Sequence, residues 1–172
     1  MTFDEAFERV IGHEGGFQDD DRDDGNWTGG KRGVGQLRGT KFGISAASYP
    51  QLDIKNITLA DAQAIYLRDY WDRIRADELP EMLREFCFDF AVNSGVEAAA
   101  LALQAAVGAL RDGRVGPRTI EAVLRHPPRE VLRLLFVERA MVFALSPKDR
   151  IYGRGWYARL FDKTVAALVP AA

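Results

Sequence analysis

Apolar positions near the start of the chain recur with a helical period. Phe3, Ala6, Phe7, Val10 and Ile11 share one face, and Thr2 with Glu5 has the form of a capping box ahead of them. The Gly15-Gly16 pair is expected to stop this helix directly after Glu14. From Phe17 to about Ser48 the period is lost. The stretch is dense in Asp, Gly and Asn, with isolated Trp27, Phe42 and Ile44, and reads as a long ordered loop or a twisted hairpin. Loops of that length inside a compact domain are usually functional unless they are disordered, and the buried-type residues at its end argue for order.

The helical period returns at Thr58, with Asp61 in capping-box position, and Ala62, Ile65, Tyr66 and Asp69 carry it to about Arg75, ahead of Pro80. Phe86 to Asn93 is strongly apolar and ends at Ser94-Gly95. Ala98 to Val107 is an alanine-rich helix closed by Gly108. Gly116-Pro117 and Pro127-Pro128 each open a further helix, the second running to about Leu145, and a last amphipathic helix spans about Tyr157 to Val169. No repeat, linker or low-complexity segment interrupts the pattern. The expected class is mainly α, with one long irregular loop or small hairpin near the N-terminus.

Composition narrows the function. The 172 residues are enough for one good core, and 47% hydrophobic with 28% charged residues is the balance of a soluble globular protein. A net charge of -2 argues against a protein that grips nucleic acid through many phosphate contacts. Cys87, inside Phe86-Cys87-Phe88, is the only cysteine, which excludes an intramolecular disulfide and a cysteine zinc site and suggests a buried thiol. His13 and His126 are too few and too far apart to suggest a metal, and no cofactor is expected. The N-terminus carries Asp4 and Glu5 where a secretory signal needs positive charge, and no apolar run approaches a membrane span. Synthesis in the cytoplasm without membrane insertion is the expectation.

Candidate chemistry gathers near the first helix. Glu14, expected at a helix C-terminus, would sit in a field that disfavours negative charge and raises a carboxyl pKa, as a general acid requires. The alternative is a solvated glutamate at a frayed end. Asp19, Asp20, Asp21, Asp23 and Asp24 follow within one loop and could supply the second carboxylate that glycosidases use, or form a merely hydrated loop. Trp27, Lys31, Arg32, Arg38 and Lys41 could lay an aromatic face and positive charge against an acidic sugar, or form a solvated hairpin. Gly33, Gly35 and Gly39 do not make a dinucleotide fingerprint. Tyr70 and Trp71 could stack on sugar or belong to the core. Asn93, beside Asp89 and Ser94, could bind an acetamido group or cap a helix end.

These residues resemble a known family. Glu14-Gly15-Gly16-Phe17, then Asp20, Asp23, Gly25 and Thr28, then Gly43-Ile44-Ser45 are similar to the N-terminal signature of glycoside hydrolase family 108 muramidases. The likeness continues through Ser48-Tyr49-Pro50, Leu52-Asp53-Ile54, Leu59, Ala62, Ile65-Tyr66 and Asp69-Tyr70-Trp71. The second half resembles the peptidoglycan-binding region that accompanies that family, through Phe88-Asp89, Ala91 to Gly95, Gln104, Asp112-Gly113, Gly116-Pro117 and Thr119.

The resemblance implies a lysozyme-like helical fold. It implies a catalytic region over residues 1–85 and a helical peptidoglycan-binding region over 86–172, packed on it as one compact unit. It further implies a monomeric N-acetylmuramidase of phage lysis or of wall remodelling for secretion, with Glu14 as catalytic acid. Such an enzyme reaches the periplasm or cell wall through a holin-type lesion or a dedicated secretion route. The order Glu14, Asp23, then a threonine also resembles that of phage T4-type lysozymes, in which the aspartate and threonine position the attacking water. Residues 29–39 depart from the simpler family pattern and leave Thr28 and Thr40 as rival equivalents. Glu14, Asp23 and Thr28 are the expected catalytic set, with Asp23 and Thr28 steering water to the anomeric carbon, and Asp20, Trp27, Thr40, Tyr70, Trp71 and Asn93 are the expected substrate-binding set. A lytic transglycosylase, a silent wall-binding module and a secretion scaffold are the rival readings.

Overall fold

A computed structural model describes residues 1–12, 15–146 and 149–168. The described residues hold seven α-helices and one two-stranded sheet, so the fold is mainly α and lysozyme-like, as expected. They divide into two compact units, residues 3–68 and residues 69 onward together with Met1–Thr2.

The first unit opens with α1 (Phe3–Val10), which buries Ala6, Phe7 and Val10. The helix stops four residues before Glu14, not at Gly15-Gly16. The amides of Ile11 and Gly12 both return to the Phe7 carbonyl, at 2.8 and 3.2 Å, and Gly12 takes the left-handed conformation, φ 66°, that closes helices. The long segment that follows is an ordered, twisted hairpin region. β1 (Thr40–Lys41) pairs antiparallel with β2 (Ile44–Ser45), in the register Thr40 to Ser45 and Lys41 to Ile44. Only Phe42 and Gly43 remain for the turn, and both have positive φ, 51° and 74°, as a two-residue type I′ turn demands. Tyr66 secures that turn by donating its hydroxyl to the Phe42 carbonyl at 3.1 Å. A side chain at residue 43 would meet the same hydroxyl, its Cβ lying 2.5 Å away.

α2 (Leu59–Tyr66) starts where the sequence pattern places it. Thr58 Oγ1 accepts from the Asp61 amide at 3.2 Å, and Asp61 Oδ2 accepts from the Thr58 amide at 2.8 Å. The expected helix to Arg75 instead becomes a π-helical turn over Leu67–Trp71, and Arg75 is left-handed, φ 52°.

The second unit is a helical core. α3 (Glu81–Ser94), α4 (Val96–Ala106) and α6 (Pro128–Ala144) pack on one another. α5 (Pro117–Leu124) lies against α4 and α6, and α7 (Asp149–Leu168) packs on α6. Leu83, Phe86, Phe90, Leu103, Leu132 and Leu135 are buried among them, each worth about 1.5–3 kcal/mol of transfer free energy. Cys87 is buried, and desolvation pushes its thiol up to about 12, which makes it inert. α7 begins eight residues before the expected Tyr157, running through Gly153 and Gly155, while the expected end at Val169 lies outside the described residues. No helix among the described residues is long and apolar enough to cross a membrane.

Candidate active site

Glu14, with His13, lies outside the described residues, but the chain on both sides of it is placed. The helix expected to run up to this position ends at Val10 and is closed by the left-handed Gly12. On the other side, the Phe42 amide donates to the Gly15 carbonyl at 2.8 Å. A Cβ at position 15 would stand 2.8 Å from Phe42 Cα, so only glycine lets the chain after Glu14 lie against the hairpin tip.

The acidic loop is organised around Asn26, which is fully buried. Its Nδ2 donates to Gln18 Oε1 at 2.8 Å and to the Asp20 carbonyl at 2.9 Å. Its Oδ1 accepts from Gln18 Nε2 at 3.1 Å and from the Thr40 hydroxyl at 2.7 Å. The Gln18 and Thr40 backbones also pair, Gln18 N to Thr40 O at 2.9 Å and Thr40 N to Gln18 O at 2.8 Å. Neither Gln18 nor Asn26 stood out in the sequence, because an amide among acids carries no pattern and its partners are 8 and 14 residues away.

The expected site residues separate by role in this frame. Asp23 caps a 3-10 turn over Asp24–Asn26 by accepting from the Gly25 amide at 2.9 Å. Its other oxygen is 3.3 Å from Gln18 Nε2, so the exposed carboxylate has a defined orientation. Asp20 is engaged by Arg22 through side chain and amide, which holds its carboxyl down at about 2. Asp21 pairs with Arg32 at 3.1 Å, and Asp24 accepts the Arg32 amide at 2.8 Å. Trp27 is half-buried, with its indole N–H on the Asp21 carbonyl at 2.9 Å.

The two threonines differ. Thr28 Oγ1 accepts the Gln36 amide at 2.9 Å and so closes the hairpin of residues 27–37, whereas Thr40 belongs to the Asn26 network that reaches Asp23. Beside Gln18 opens a cavity of about 550 Å³ lined by Phe17, Asp19, Leu37, Arg38, Asp53 and Lys55, among others. Lys55 Nζ lies 5.9 Å from the Phe17 ring centre, so the cavity combines an aromatic face with charge of both signs.

In the helical unit, Tyr70 is half-buried. Trp71 is fully enclosed, with its ring edge-to-face on Phe88 at 5.6 Å, so it is a core residue without a face for sugar. Asn93 bonds the backbone of its own helix and a side chain from α7. Its Nδ2 donates to the Asp89 carbonyl one turn back at 2.8 Å, and its Oδ1 accepts from Arg159 at 3.0 Å on the edge of a cavity. Asp89 itself is buried and paired with the equally buried Arg139 at 2.5 Å, a partner the sequence did not suggest. Asp112, Gly113 and Thr119 bond the buried Gln104: its Nε2 donates to Asp112 Oδ1 at 2.7 Å and to Thr119 Oγ1 at 3.3 Å, and its Oε1 accepts the Gly113 amide at 3.1 Å. No group of three or more His, Cys, Asp or Glu among the described residues could hold a metal ion.

Residues 7–95 match the model of the family described as glycosyl hydrolase 108. Among solved structures, that of Brucella abortus SagA is similar over 96% of this chain and 93% of that one, with 28% identity and a TM-score of 0.79. No curated protein matches the chain.

Proposed function

The chain belongs to the glycosyl hydrolase 108 family and is a glycoside hydrolase of the muramidase type acting on peptidoglycan, and from that premise we propose that Glu14 is its general acid. The supporting observation is the bond from the Phe42 amide to Gly15, which ties the residue after Glu14 to the rigid turn above Tyr66. An acid must be held within hydrogen-bonding reach of the glycosidic oxygen, and this tether limits the freedom of its chain.

In this reading Glu14 protonates the bridging oxygen after N-acetylmuramic acid, and Asp23 orients water toward the anomeric carbon. The third group is Thr40 rather than Thr28, because Thr40 shares the amide network that orients Asp23 while the Thr28 hydroxyl serves the 27–37 hairpin. The Phe17 to Lys55 cavity and the Trp27 face take neighbouring sugars, and Asp20 stiffens the loop through Arg22. Tyr70 offers a further sugar contact. Residues 1–85 then carry catalysis, and 86–172 hold the wall.

The test is mass spectrometry of soluble products from purified peptidoglycan. Wild type is expected to release muropeptides with reducing N-acetylmuramic acid ends, and Glu14→Gln to lose at least about a hundredfold in rate. Anhydro products would replace this reading with a lytic transglycosylase. Equal release by both proteins would remove Glu14 from the mechanism, and release by neither would leave a binding module.

A further inference from the structure

The helical unit holds a charged cavity at the end of α3. The end of α3, with α6 and α7, encloses about 460 Å³ lined by Asn93, Ser94, Arg139, Phe143, Trp156 and Arg159, among others. Arg139 is only 1% exposed. Its Nη1 donates to Asp89 Oδ2, its Nε has no partner among the described residues, and its guanidinium lies 5.4, 5.1 and 5.5 Å from the rings of Phe86, Phe90 and Phe143. Arg159 enters from α7 with Nη1 on Asn93 and Nε 3.4 Å from Asp89 Oδ1, and 46% of its side chain stays exposed. Two guanidinium groups thus share one carboxylate. Among the described residues that line the space, one positive charge is left over, and the Phe143 and Trp156 rings, whose centres are 5.2 Å apart, wall it.

A single surplus charge in an aromatic, partly enclosed space suits a monoanion with a short apolar body. The forked donors of arginine suit a carboxylate in particular. In stem-bearing glycan the lactyl carboxyl of muramic acid is tied up as an amide, whereas the peptide stems end in free carboxylates beside alanine methyl groups. We propose that this cavity binds the carboxylate end of a wall peptide stem, with Arg159 as the accessible donor, Arg139 as the buried charge behind it and Trp156 against the alanyl side chain. The volume is in the range of small-ligand sites and accommodates a dipeptide. The identity of the ligand rests on the peptidoglycan reading.

The test is calorimetric titration of the Glu14→Gln protein with N-acetyl-D-alanyl-D-alanine and with its C-terminal amide, so that binding is read with hydrolysis removed. The acid is expected to bind, and amidation or Arg159→Gln in the same background is expected to weaken it by about tenfold or more. Thermal melting confirms that the Arg159 variant is folded, and Arg159→Lys, which keeps the charge but loses the fork, should fall between. No binding of the acid, equal binding of acid and amide, or an unchanged Kd in folded Arg159→Gln would each overturn the proposal. Failure of wild type to digest wall would sink the hydrolase reading and leave this titration to be judged separately.

Discussion

The two units of this protein are held in shape by different forces. Residues 17–48 contain two short strands and one 3-10 turn, and their order comes from side chains that bond to the backbone and to each other around Asn26. The unit from Asp69 onward is ordered by apolar faces, with leucine and phenylalanine packed between α3, α4 and α6. Hydrogen bonds of the first kind are directional, and each adds about 0.5–1.5 kcal/mol net. Apolar burial is larger and not directional. A region that must aim carboxylates is better built from the first, and a region that must stay folded from the second.

The exception inside the helical unit is the sharpest place to break this contrast. Arg139→Leu takes the buried partner from the Asp89 carboxylate and is expected to cost about 3–5 kcal/mol in urea unfolding, while a double Asp89→Leu, Arg139→Leu variant recovers most of it. A single variant within 1 kcal/mol of wild type, roughly the worth of an exposed pair, would mean that the apolar packing alone carries the unit. Next in size, Leu83→Ala should cost about 2–5 kcal/mol through the cavity it leaves, and hydrogen exchange should rise across α3 and the helices packed on it.

Asn26→Ala should cost about 1–3 kcal/mol by leaving the amides of Gln18 and the hydroxyl of Thr40 without their partner. Its exchange signature should be confined to the amides of residues 18–48. Wall digestion should fall although Glu14 is intact; unchanged digestion would separate the network from catalysis. Smallest, Thr58→Ala removes a helix cap worth about 1 kcal/mol.

The partner of that cap adds a pH dependence. The Thr58 amide and hydroxyl hold the Asp61 carboxyl below its ordinary value of 3.8. A depressed folded pKa gives stability that is present above the unfolded value and lost as pH falls through the folded one. The melting difference between wild type and Asp61→Asn should therefore be full near about pH 6 and shrink below about pH 4.

Legibility in the sequence followed the same division. The start of α2 was readable because its signal is local: Thr58 and Asp61 are three residues apart and bond each other. The helical class followed from apolar periodicity for the same reason. The end of α1 was misplaced because three glycines, Gly12, Gly15 and Gly16, compete for the stop, and only the backbone conformation of Gly12 decides. Gly15 is needed for a different reason, contact with Phe42, which lies 27 positions away in the chain. The first turns of α7 were missed because Gly153 and Gly155 each disfavour a helix by about 1 kcal/mol, a penalty that packing on α6 overrides. Asn26, Gln18 and Arg139 were invisible for a common reason: a polar residue acquires meaning only from partners the chain brings to it.

The lone thiol has a practical consequence. Cys87 is shut inside α3 and holds its proton far into the alkaline range, so alkylating probes should pass over the folded protein. A cysteine placed at the exposed Lys31 on the hairpin insert would then be the one reactive sulfur. The wild-type background is in effect already cysteine-free for labelling, and a single dye there would report whether the acidic loop meets the wall polymer.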